Sequence, residues 1–390
     1  MSTFWSKVFL FVLIFVGFAI RTESQTITPG AYQTDIYLVE IVNKRVALVV
    51  NQTSIINETH LLDTLLKLNV NVTKLFSPEH GIRGRAADGE LVDNSIDEQT
   101  KIPIVSLYGK NRKPSKKDLQ GIDLVIFDLQ DVGTRFYTYI STLTYVMESC
   151  AENNIKVIVL DRPNPNGYFI DGPVLDSNFS SFVGLHQVPA VYGLTIGEYA
   201  LMVNGEGWLS NNLKCDLTVI PCLNYTHDSI YKLPIKPSPN LPTEEAVLLY
   251  PSLCFFEGTV VSVGRGTDKP FEVIGHPNYS DASFKFTPKP IEGVTVNPPH
   301  KNTECNGILL SGYVDEIKAS KKINLSLLIN MYNDLNIGEK FFNNYFDKLA
   351  GTDVLRKQII DGKTEDEIRE TWRSDIEKYK VVRKKYLIYN

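Results

Sequence analysis

Three segments with the composition of β-strands, residues 70–76, 124–127 and 155–160, each end in a cluster of charged and amide side chains. In chain order the clusters contain Glu79 and His80, then Asp128, Asp131 and Arg135, then Asp161, Arg162 and Asn164. A carboxyl group in such a cluster can transfer a proton to or from a substrate, and arginine can bind a carboxylate through paired hydrogen bonds. Charged groups beside an apolar core are costly unless they are paired or functional. The pattern therefore predicts acid–base chemistry at the ends of these strands.

Glu79 is the first candidate for a catalytic acid. It lies in a Pro-Glu-His-Gly turn, where a carboxyl group could protonate a leaving oxygen. His80 could orient Glu79 or contact the substrate. The alternatives are that Glu79 caps a helix or loop and that His80 makes structural hydrogen bonds.

The second and third clusters combine acidic residues with arginine. Asp131 could bind sugar hydroxyls, Arg135 could bind an acid group of the substrate, and Tyr137 could stack on a sugar ring. An internal ion-pair network is the alternative for the second cluster. A turn held by an Asp–Arg pair is the alternative for the third.

A further carboxylate, Glu257, precedes a glycine-rich stretch that also contains Arg265 and Asp268. Glycine lets the backbone approach a ligand closely. This region could therefore deliver a second carboxylate to the site from another part of the chain. A loop-stabilising acid is the alternative.

Hydrophobic periodicity predicts the elements that would hold these clusters. The predicted strands are 45–50, 70–76, 123–129 and 155–161, and the predicted helices between them are 58–68 and 139–153. Asn69 is a plausible C-cap for the first helix, and the alternating strand at 70–76 is expected near a sheet edge. Strand–helix–strand units form parallel sheets with right-handed crossovers, and side chains past the carboxyl ends of such strands converge on one crevice. The pattern predicts a Rossmann-like α/β domain.

The composition of the chain changes after about Tyr250, just beyond a proline-rich segment at 234–242. We therefore predict two domains: a Rossmann-like catalytic domain over residues 26–251 and a smaller α+β C-terminal domain over 252–390. The second is expected to end in a charged helix at 364–380 and a strand-like tail.

Residues 1–25 are predicted to be a signal peptide. Lys7 precedes an apolar run at 8–20, which is shorter than the roughly 20 residues of a membrane span but suits a signal sequence. Export to the periplasm or the exterior is expected, with no membrane span left after cleavage. An uncleaved N-terminal anchor is the alternative. Of five cysteines, most are expected to be buried, and Cys215 and Cys222 could pair.

The charge and the absent motifs argue against several classes of protein. A net charge of -5 does not suggest nucleic-acid binding. The sequence contains no GxSxG, HExxH, Walker A or GxGxxG motif, which disfavours hydrolase-fold esterases, zincins, P-loop enzymes and dinucleotide enzymes. A metal site of Asp128, Asp161 and His80 is conceivable, but no spacing demands it. No cofactor and no metal are therefore predicted.

Five strings in the sequence together resemble the NamZ-type exo-β-N-acetylmuramidases. They are FSPEHGIRG, FDLQDVGTRFYTY, LDRPNPNG, KPSPNLPT and FEGTVVSVGRGTDKPF. The resemblance implies a cleft between two domains and the removal of terminal N-acetylmuramic acid from the non-reducing end of peptidoglycan fragments. It implies that Glu79 is the catalytic glutamate and leaves Glu257 and Asp131 as candidates for the second carboxylate. Val260 stands where the family usually has Asn.

The resulting hypothesis is an exported, metal-independent, exo-acting glycoside hydrolase, an enzyme class that commonly uses two carboxyl groups. Its predicted substrate-binding residues are His80, Arg83, Asp128, Arg135, Tyr137, Arg162, Asn164, Arg265 and Asp268. Arg135 or Arg265 would bind the lactyl carboxylate of muramic acid. The alternative is a non-catalytic cell-wall sugar-binding protein. The expected partners are peptidoglycan fragments and not nucleic acid.

Overall fold

The computed structural model describes residues 26–79, 81–82 and 94–390. The predicted signal peptide and two predicted substrate-binding residues, His80 and Arg83, lie outside the described residues.

The strands are β1 (Arg45–Val50), β2 (Ile55–Ile56), β3 (Thr59–His60), β4 (Asn71–Ser77), β5 (Ser95–Ile96), β6 (Pro103–Ser106), β7 (Leu124–Asp128), β8 (Lys156–Leu160), β9 (Asp171–Val174), β10 (Pro189–Val191), β11 (Leu217–Ile220), β12 (Val273–His276), β13 (Phe284–Phe286) and β14 (Cys305–Leu309). The α-helices are α1 (Thr34–Ile41), α2 (Leu61–Lys67), α3 (Tyr139–Glu152), α4 (Ile196–Gly205), α5 (Glu244–Leu253), α6 (Val314–Ser320), α7 (Ser326–Leu335), α8 (Phe346–Ala350), α9 (Val354–Ile360) and α10 (Glu365–Arg383).

A seven-stranded sheet in the order β11-β8-β7-β1-β4-β6-β5 organises the N-terminal half. All neighbouring strands are parallel except the edge pair β5 and β6. From β1 the chain builds outward to β4 and β6, and then returns to place β7, β8 and β11 on the other side of β1. The order therefore reverses between β1 and β7, where a ligand crevice is expected in an open parallel sheet. The predicted Rossmann-like fold is confirmed.

Both faces of this sheet are covered, as the near-continuous apolar runs of β1, β7 and β8 indicate. Successive residues of β1 point to opposite faces. Val46, Leu48 and Val50 pack in one core with α1 and α2. Ala47 and Val49 belong to a second core, which also contains side chains of α3 and α4 and extends to α8 and α10 in the C-terminal half. The two halves of the chain thus share one hydrophobic core.

The C-terminal half contains a three-stranded antiparallel sheet, β12-β14-β13, and helices α6 to α10. Helix α10 begins at a capping box in which Thr364 and Glu367 each bond the other's backbone N–H. The predicted strand-like tail is wrong, because the residues after α10 form a short 3₁₀ turn and then an irregular segment. That segment is held by side chains: the Tyr389 hydroxyl donates to Asp161 Oδ2 at 2.6 Å.

Strand β4 differs from its predicted position near a sheet edge. It is hydrogen-bonded to β1 on one side and to β6 on the other. Within β4, only Leu75, Phe76 and Ser77 pair with β6, and Thr73 and Lys74 are partly exposed. The alternation of apolar and polar residues in β4 thus arises because the neighbouring strand β6 is short and pairs with only part of it. The preceding helix is also shorter than predicted, and Asn69 follows it in the left-handed conformation at φ 59°.

All five cysteines are buried free thiols. Cys215 and Cys222 lie on either side of β11, so about seven residues of largely extended chain, roughly 20 Å, separate them. Disulfide bonding needs Cα atoms within about 7 Å, so their suggested pairing is wrong. None of the described helices has the length and apolar character needed to span a membrane.

Candidate active site

A cavity of about 370 Å³ is lined by Glu79, which follows β4, and by residues 136–139 at the start of α3. Its volume lies within the size range of small-molecule sites. Its lining includes Glu79, Tyr137 and Thr138 from the N-terminal half of the chain. Glu257 and Arg265 line it from the C-terminal half. The structure thus brings together two of the three predicted catalytic residues and two predicted substrate-binding residues.

Glu79 reaches the cavity because it lies two residues beyond the carboxyl end of β4. Its side chain is half-buried, and Thr138, the residue before α3, donates a hydrogen bond from Oγ1 to Glu79 Oε2 at 3.4 Å. Among the described residues, Glu79 has no cationic partner. Its carboxyl group can therefore face a substrate oxygen without competition from an ion pair within the described chain.

Glu257 lies in the 3₁₀ turn Cys254–Gly258 that follows α5. Arg265 Nε donates to Glu257 Oε1 at 2.5 Å, and the Cys254 thiol donates to Oε2 at 3.7 Å. The Arg265 guanidinium also lies over the Phe271 ring, 5.2 Å from its centroid. These contacts hold a carboxylate in a fixed position at the cavity wall, which the sequence predicted only as a possibility.

Gly258 has a role in packing that differs from the predicted approach of glycine backbone to a ligand. A Cβ atom at this position would lie 2.3 Å from Phe346 Cα, so the turn packs directly on the backbone of α8. Asn343 reinforces the contact by donating from its backbone N–H to Gly258 O at 2.9 Å. The position of Glu257 therefore depends on a close contact with the C-terminal helices.

Aromatic side chains form much of the cavity wall. Tyr137 and Tyr139 make an edge-to-face contact with ring centroids 4.8 Å apart, and Tyr250 makes a similar contact with Phe271 at 5.0 Å. Burial raises the pKa of Tyr137 well above its usual value, so this phenol stays neutral. Its hydroxyl donates to Pro237 O at 2.9 Å. Rings of this kind can pack against a sugar ring.

Asp131, the other candidate for the second carboxylate, does not line the cavity. It is buried, and its Oδ2 accepts hydrogen bonds from the Gly133 N–H and the Tyr192 hydroxyl. No described residue donates to its Oδ1. Burial raises the pKa of Asp131 to about 6. The structure therefore places Glu257, and not Asp131, with Glu79.

Asp128 and Arg162 form a buried ion pair in place of the predicted substrate contacts. Arg162 Nε donates to Asp128 Oδ1 at 2.5 Å, and Nη2 donates to Oδ2 at 2.9 Å. Both side chains are almost fully buried, and neither lines the cavity. The pair ties the end of β7 to the end of β8, and thus matches the structural alternative of an Asp–Arg pair.

Asn164 and Asp268 also lie outside the cavity. Asn164 is buried, and its side chain bonds the Leu194 carbonyl and the Asn166 N–H, both at 2.8 Å. Asp268 is exposed on the surface. The predicted substrate contacts of these two residues are therefore not supported by their positions.

Arg135, predicted to bind a substrate acid group, is instead fully buried. Its Nη1 donates to the carbonyls of Pro173 and Val188, at 2.7 and 2.8 Å. Its Nη2 donates to those of Leu349 and Ala350, at 3.0 and 2.6 Å. The guanidinium thus links the N-terminal half to helix α8, and burial lowers its pKa. Strand β9 and helix α8 pack over Arg135 and supply carbonyl acceptors, which explains the difference from the prediction.

Several polar cavity residues lie outside the set predicted from the sequence, among them Arg112, Asn240, Tyr250 and Lys348. Asn240 lies within the string KPSPNLPT, which was recognised without a role for this residue. Arg112 belongs to the short basic segment 110–117, whose composition does not by itself distinguish a cavity residue from one on a solvated loop. Lys348 is brought in only by tertiary packing, so no local pattern could have indicated it.

The described residues contain no group of three or more His, Cys, Asp or Glu side chains that could hold a metal ion. The two described members of the conceivable metal set belong to separate networks. Asp128 pairs with Arg162, whereas Asp161 accepts hydrogen bonds from Thr195 and the Gly197 N–H, at 2.7 and 2.8 Å.

Two family models match the chain, one over each half. The N-terminal model of the exo-β-N-acetylmuramidase NamZ matches residues 46–245, and its C-terminal model matches residues 248–389. The chain belongs to the NamZ family. A curated relative, the peptidoglycan β-N-acetylmuramidase NamZ of Bacillus subtilis (strain 168), is 37% identical over 394 residues, which cover 94% of each protein. The family resemblance stated from the sequence is confirmed.

Solved structures support the same assignment. A DUF1343 family protein from Bacteroides fragilis, whose crystal structure is known, is 49% identical in sequence to this chain. The two structures superimpose with a TM-score of 0.87, and the match covers 94% of this chain and 99% of that chain. A second DUF1343 protein from the same organism is 27% identical, with a TM-score of 0.76 over 93% and 99%. The NamZ-family chain therefore shares its fold with these proteins over nearly its full length.

Proposed function

We propose that this protein is an exo-acting glycoside hydrolase that releases terminal N-acetylmuramic acid from the non-reducing end of peptidoglycan fragments. One observation carries the proposal: in a chain of the NamZ family, Glu79 and Glu257 come from different halves of the sequence and line the same cavity. Glycoside hydrolysis commonly requires two carboxyl groups beside the scissile bond. The family assignment does not favour a sugar-binding protein without turnover.

In this mechanism Glu79 acts as the general acid. Its protonated carboxyl group gives its proton to the glycosidic oxygen while the bond from that oxygen to C1 of muramic acid breaks. Glu257 enters as a carboxylate held by Arg265, and its negative charge stabilises the positive charge that develops at C1. Water then adds to C1, and the proton that it loses returns to Glu79, so the acid is regenerated.

The test uses a chromogenic β-N-acetylmuramic acid glycoside with the mature wild-type protein and its Glu79→Gln variant. The wild type should release the chromophore, and the variant should be about 10²- to 10⁴-fold slower, since it lacks the transferable proton. Glu58→Gln is the matched control, because Glu58 is exposed and lies outside the cavity. Binding of the glycoside by the wild type without any release would support the sugar-binding alternative and contradict the proposal.

We also propose that residues 1–25 direct export, so that the enzyme meets peptidoglycan fragments outside the cytoplasm. Lys7 and the apolar run at 8–20 support this proposal. Expression of the full chain and N-terminal sequencing of the exported product should give a mature end near residue 25. An exported product that still begins with the apolar run would favour the uncleaved anchor.

A further inference from the structure

The cavity contains more cationic than anionic side chains among the described residues. Glu79 and Glu257 are its acidic residues, and Arg112, Arg265 and Lys348 are its basic ones. Arg265 is engaged by Glu257 at 2.5 Å. Within the described parts of the chain, neither Arg112 nor Lys348 forms an ion pair. The cavity therefore offers two cations to an anionic ligand group.

Arg112 is held by a stack of aromatic rings. Its Cζ atom lies 4.3 Å from the centroid of the Phe182 ring. Phe182 is buried, and Tyr145 stacks on it with centroids 6.2 Å apart and ring planes 4° apart. A cation–π contact of this kind leaves the N–H groups of the guanidinium available for hydrogen bonds. Arg112 therefore lines the cavity with donors that its contact with Phe182 does not use.

Lys348 and Phe182 are positioned through one buried residue, Arg135. The carbonyls of Leu349 and Ala350, directly after Lys348, accept hydrogen bonds from Arg135 Nη2 at 3.0 and 2.6 Å. The Phe182 turn is closed by reciprocal backbone hydrogen bonds between residues 181 and 184, and Gly184 packs against the Arg135 side chain. The segments that carry Lys348 and Phe182 thus both pack against Arg135.

We propose that Arg112 and Lys348 form a carboxylate-binding subsite that selects muramic acid by its lactyl group. The inference rests on the proposed function and deepens it. N-acetylmuramic acid differs from N-acetylglucosamine by a lactyl ether, whose carboxylate carries the only charge of the sugar. A planar guanidinium suits two parallel hydrogen bonds to a carboxylate, and an ammonium adds a second positive charge. This assignment replaces Arg135 and Arg265, which the structure commits to other partners.

The test compares two chromogenic glycosides that differ at one group: β-N-acetylmuramic acid and its lactyl amide, which is neutral. The quantity measured is the ratio of kcat/KM for the acid to kcat/KM for the amide. Wild type should prefer the acid, and Arg112→Gln should reduce that preference about 10- to 100-fold, the range expected when a charge-assisted hydrogen bond is lost. The loss should be mainly in KM, because the carboxylate lies away from the reacting bond. Lys348→Gln should reduce the preference in the same direction.

Lys116→Gln is the matched control, because Lys116 is an exposed cation near Arg112 in sequence but outside the cavity. Its acid-to-amide preference should equal that of wild type. Arg112→Lys should retain part of the preference, since it keeps the charge and loses the planar donor edge. Circular dichroism and thermal melting confirm that each variant is folded.

Two outcomes are distinguishable. If the wild type releases the chromophore and Arg112→Gln and Lys348→Gln both keep its full preference for the acid, the subsite is overturned and the enzyme stands. If the wild type releases nothing from either glycoside, the proposed function itself is overturned.

Discussion

Replacing Arg162 by methionine tests whether this arginine binds substrate or stabilises the fold. The change leaves Asp128 with its carboxylate fully buried and without its cation. Arg162 donates two charge-assisted hydrogen bonds to that carboxylate, at 2.5 and 2.9 Å. Each such bond contributes about 1.5–3 kcal/mol, and removal of one partner of a buried ion pair costs about 3–5 kcal/mol. We therefore expect Arg162→Met to lower the free energy of unfolding by about 3–5 kcal/mol.

Urea and thermal unfolding followed by fluorescence measure this loss. Unfolding entropy is about 2.1 cal/mol/K per residue, so for a mature chain of this size a loss of about 4 kcal/mol lowers Tm by roughly 5 °C. Asp128→Leu should lower the free energy of unfolding by a similar amount, because it leaves the buried Arg162 guanidinium without its carboxylate partner. The double variant should lose much less than the sum of the two, since well-packed apolar residues can replace a buried pair at little cost.

Arg45→Met is the matched control for an ion pair. Arg45 donates to Asp123 at 2.7 Å, but the side chains are 53% and 32% exposed, so the variant should unfold almost like wild type. A structural role for Arg162 would be ruled out if Arg162→Met unfolded like the Arg45 control and instead raised KM for the muramic acid glycoside. That result would place the guanidinium in contact with substrate.

Glu257→Gln should lower kcat about 100-fold or more, whereas Asp131→Asn should keep most of the activity on the muramic acid glycoside; the reverse pattern would make Asp131 the second carboxylate. Burial raises the pKa of Asp131 to about 6, above the value of about 3.9 in the unfolded chain. The folded state therefore binds the proton more tightly than the unfolded state does. As pH rises from about 4 to 6, this carboxyl group lowers the free energy of unfolding. Urea unfolding should therefore show a smaller loss of stability between pH 4.5 and 7 for Asp131→Asn than for wild type, and equal losses would contradict the raised pKa. Gly351→Ala should cost about 2–4 kcal/mol in the same assay, because φ is +73° and a Cβ would lie 2.6 Å from Arg135 Nη2; an unchanged midpoint would show that Arg135 can move aside.

Much of the N-terminal fold could be predicted because its signals are local. Strands β1, β7 and β8 are near-continuous apolar runs between polar ends, and a strand buried on both faces needs such a run. Helix α10 is marked by Thr364 and Glu367, which cap its first turn. The position of β4 in the sheet could not be predicted from local sequence signals. Strand order depends on pairing with β1 and β6, which are distant in sequence.

The candidate site was predicted less completely than the fold, for the same reason. Residue type and strand-end position identified Glu79, and a position before a glycine-rich stretch identified Glu257; both line the cavity. Asp128, Arg135 and Arg162 are also charged residues that follow strands or end them. In the structure, however, they make buried contacts within the fold and do not line the cavity. Whether a charged side chain is exposed or buried against carbonyl groups depends on segments that come later in the chain and pack against it. Residues 349–350, which accept hydrogen bonds from Arg135, are an example.

The sequence by itself determined the family, the alternation of strands and helices, and the polar clusters at the strand ends. Each of these features depends on short segments of residues that are close together along the chain. Only the tertiary structure decided which polar residues share a cavity. Glu79, Arg112, Glu257 and Lys348 are separated by long stretches of chain, and they meet because two halves with one hydrophobic core pack against each other. Their chemistry depends on distances, burial and partners, and these quantities exist only once the chain has folded.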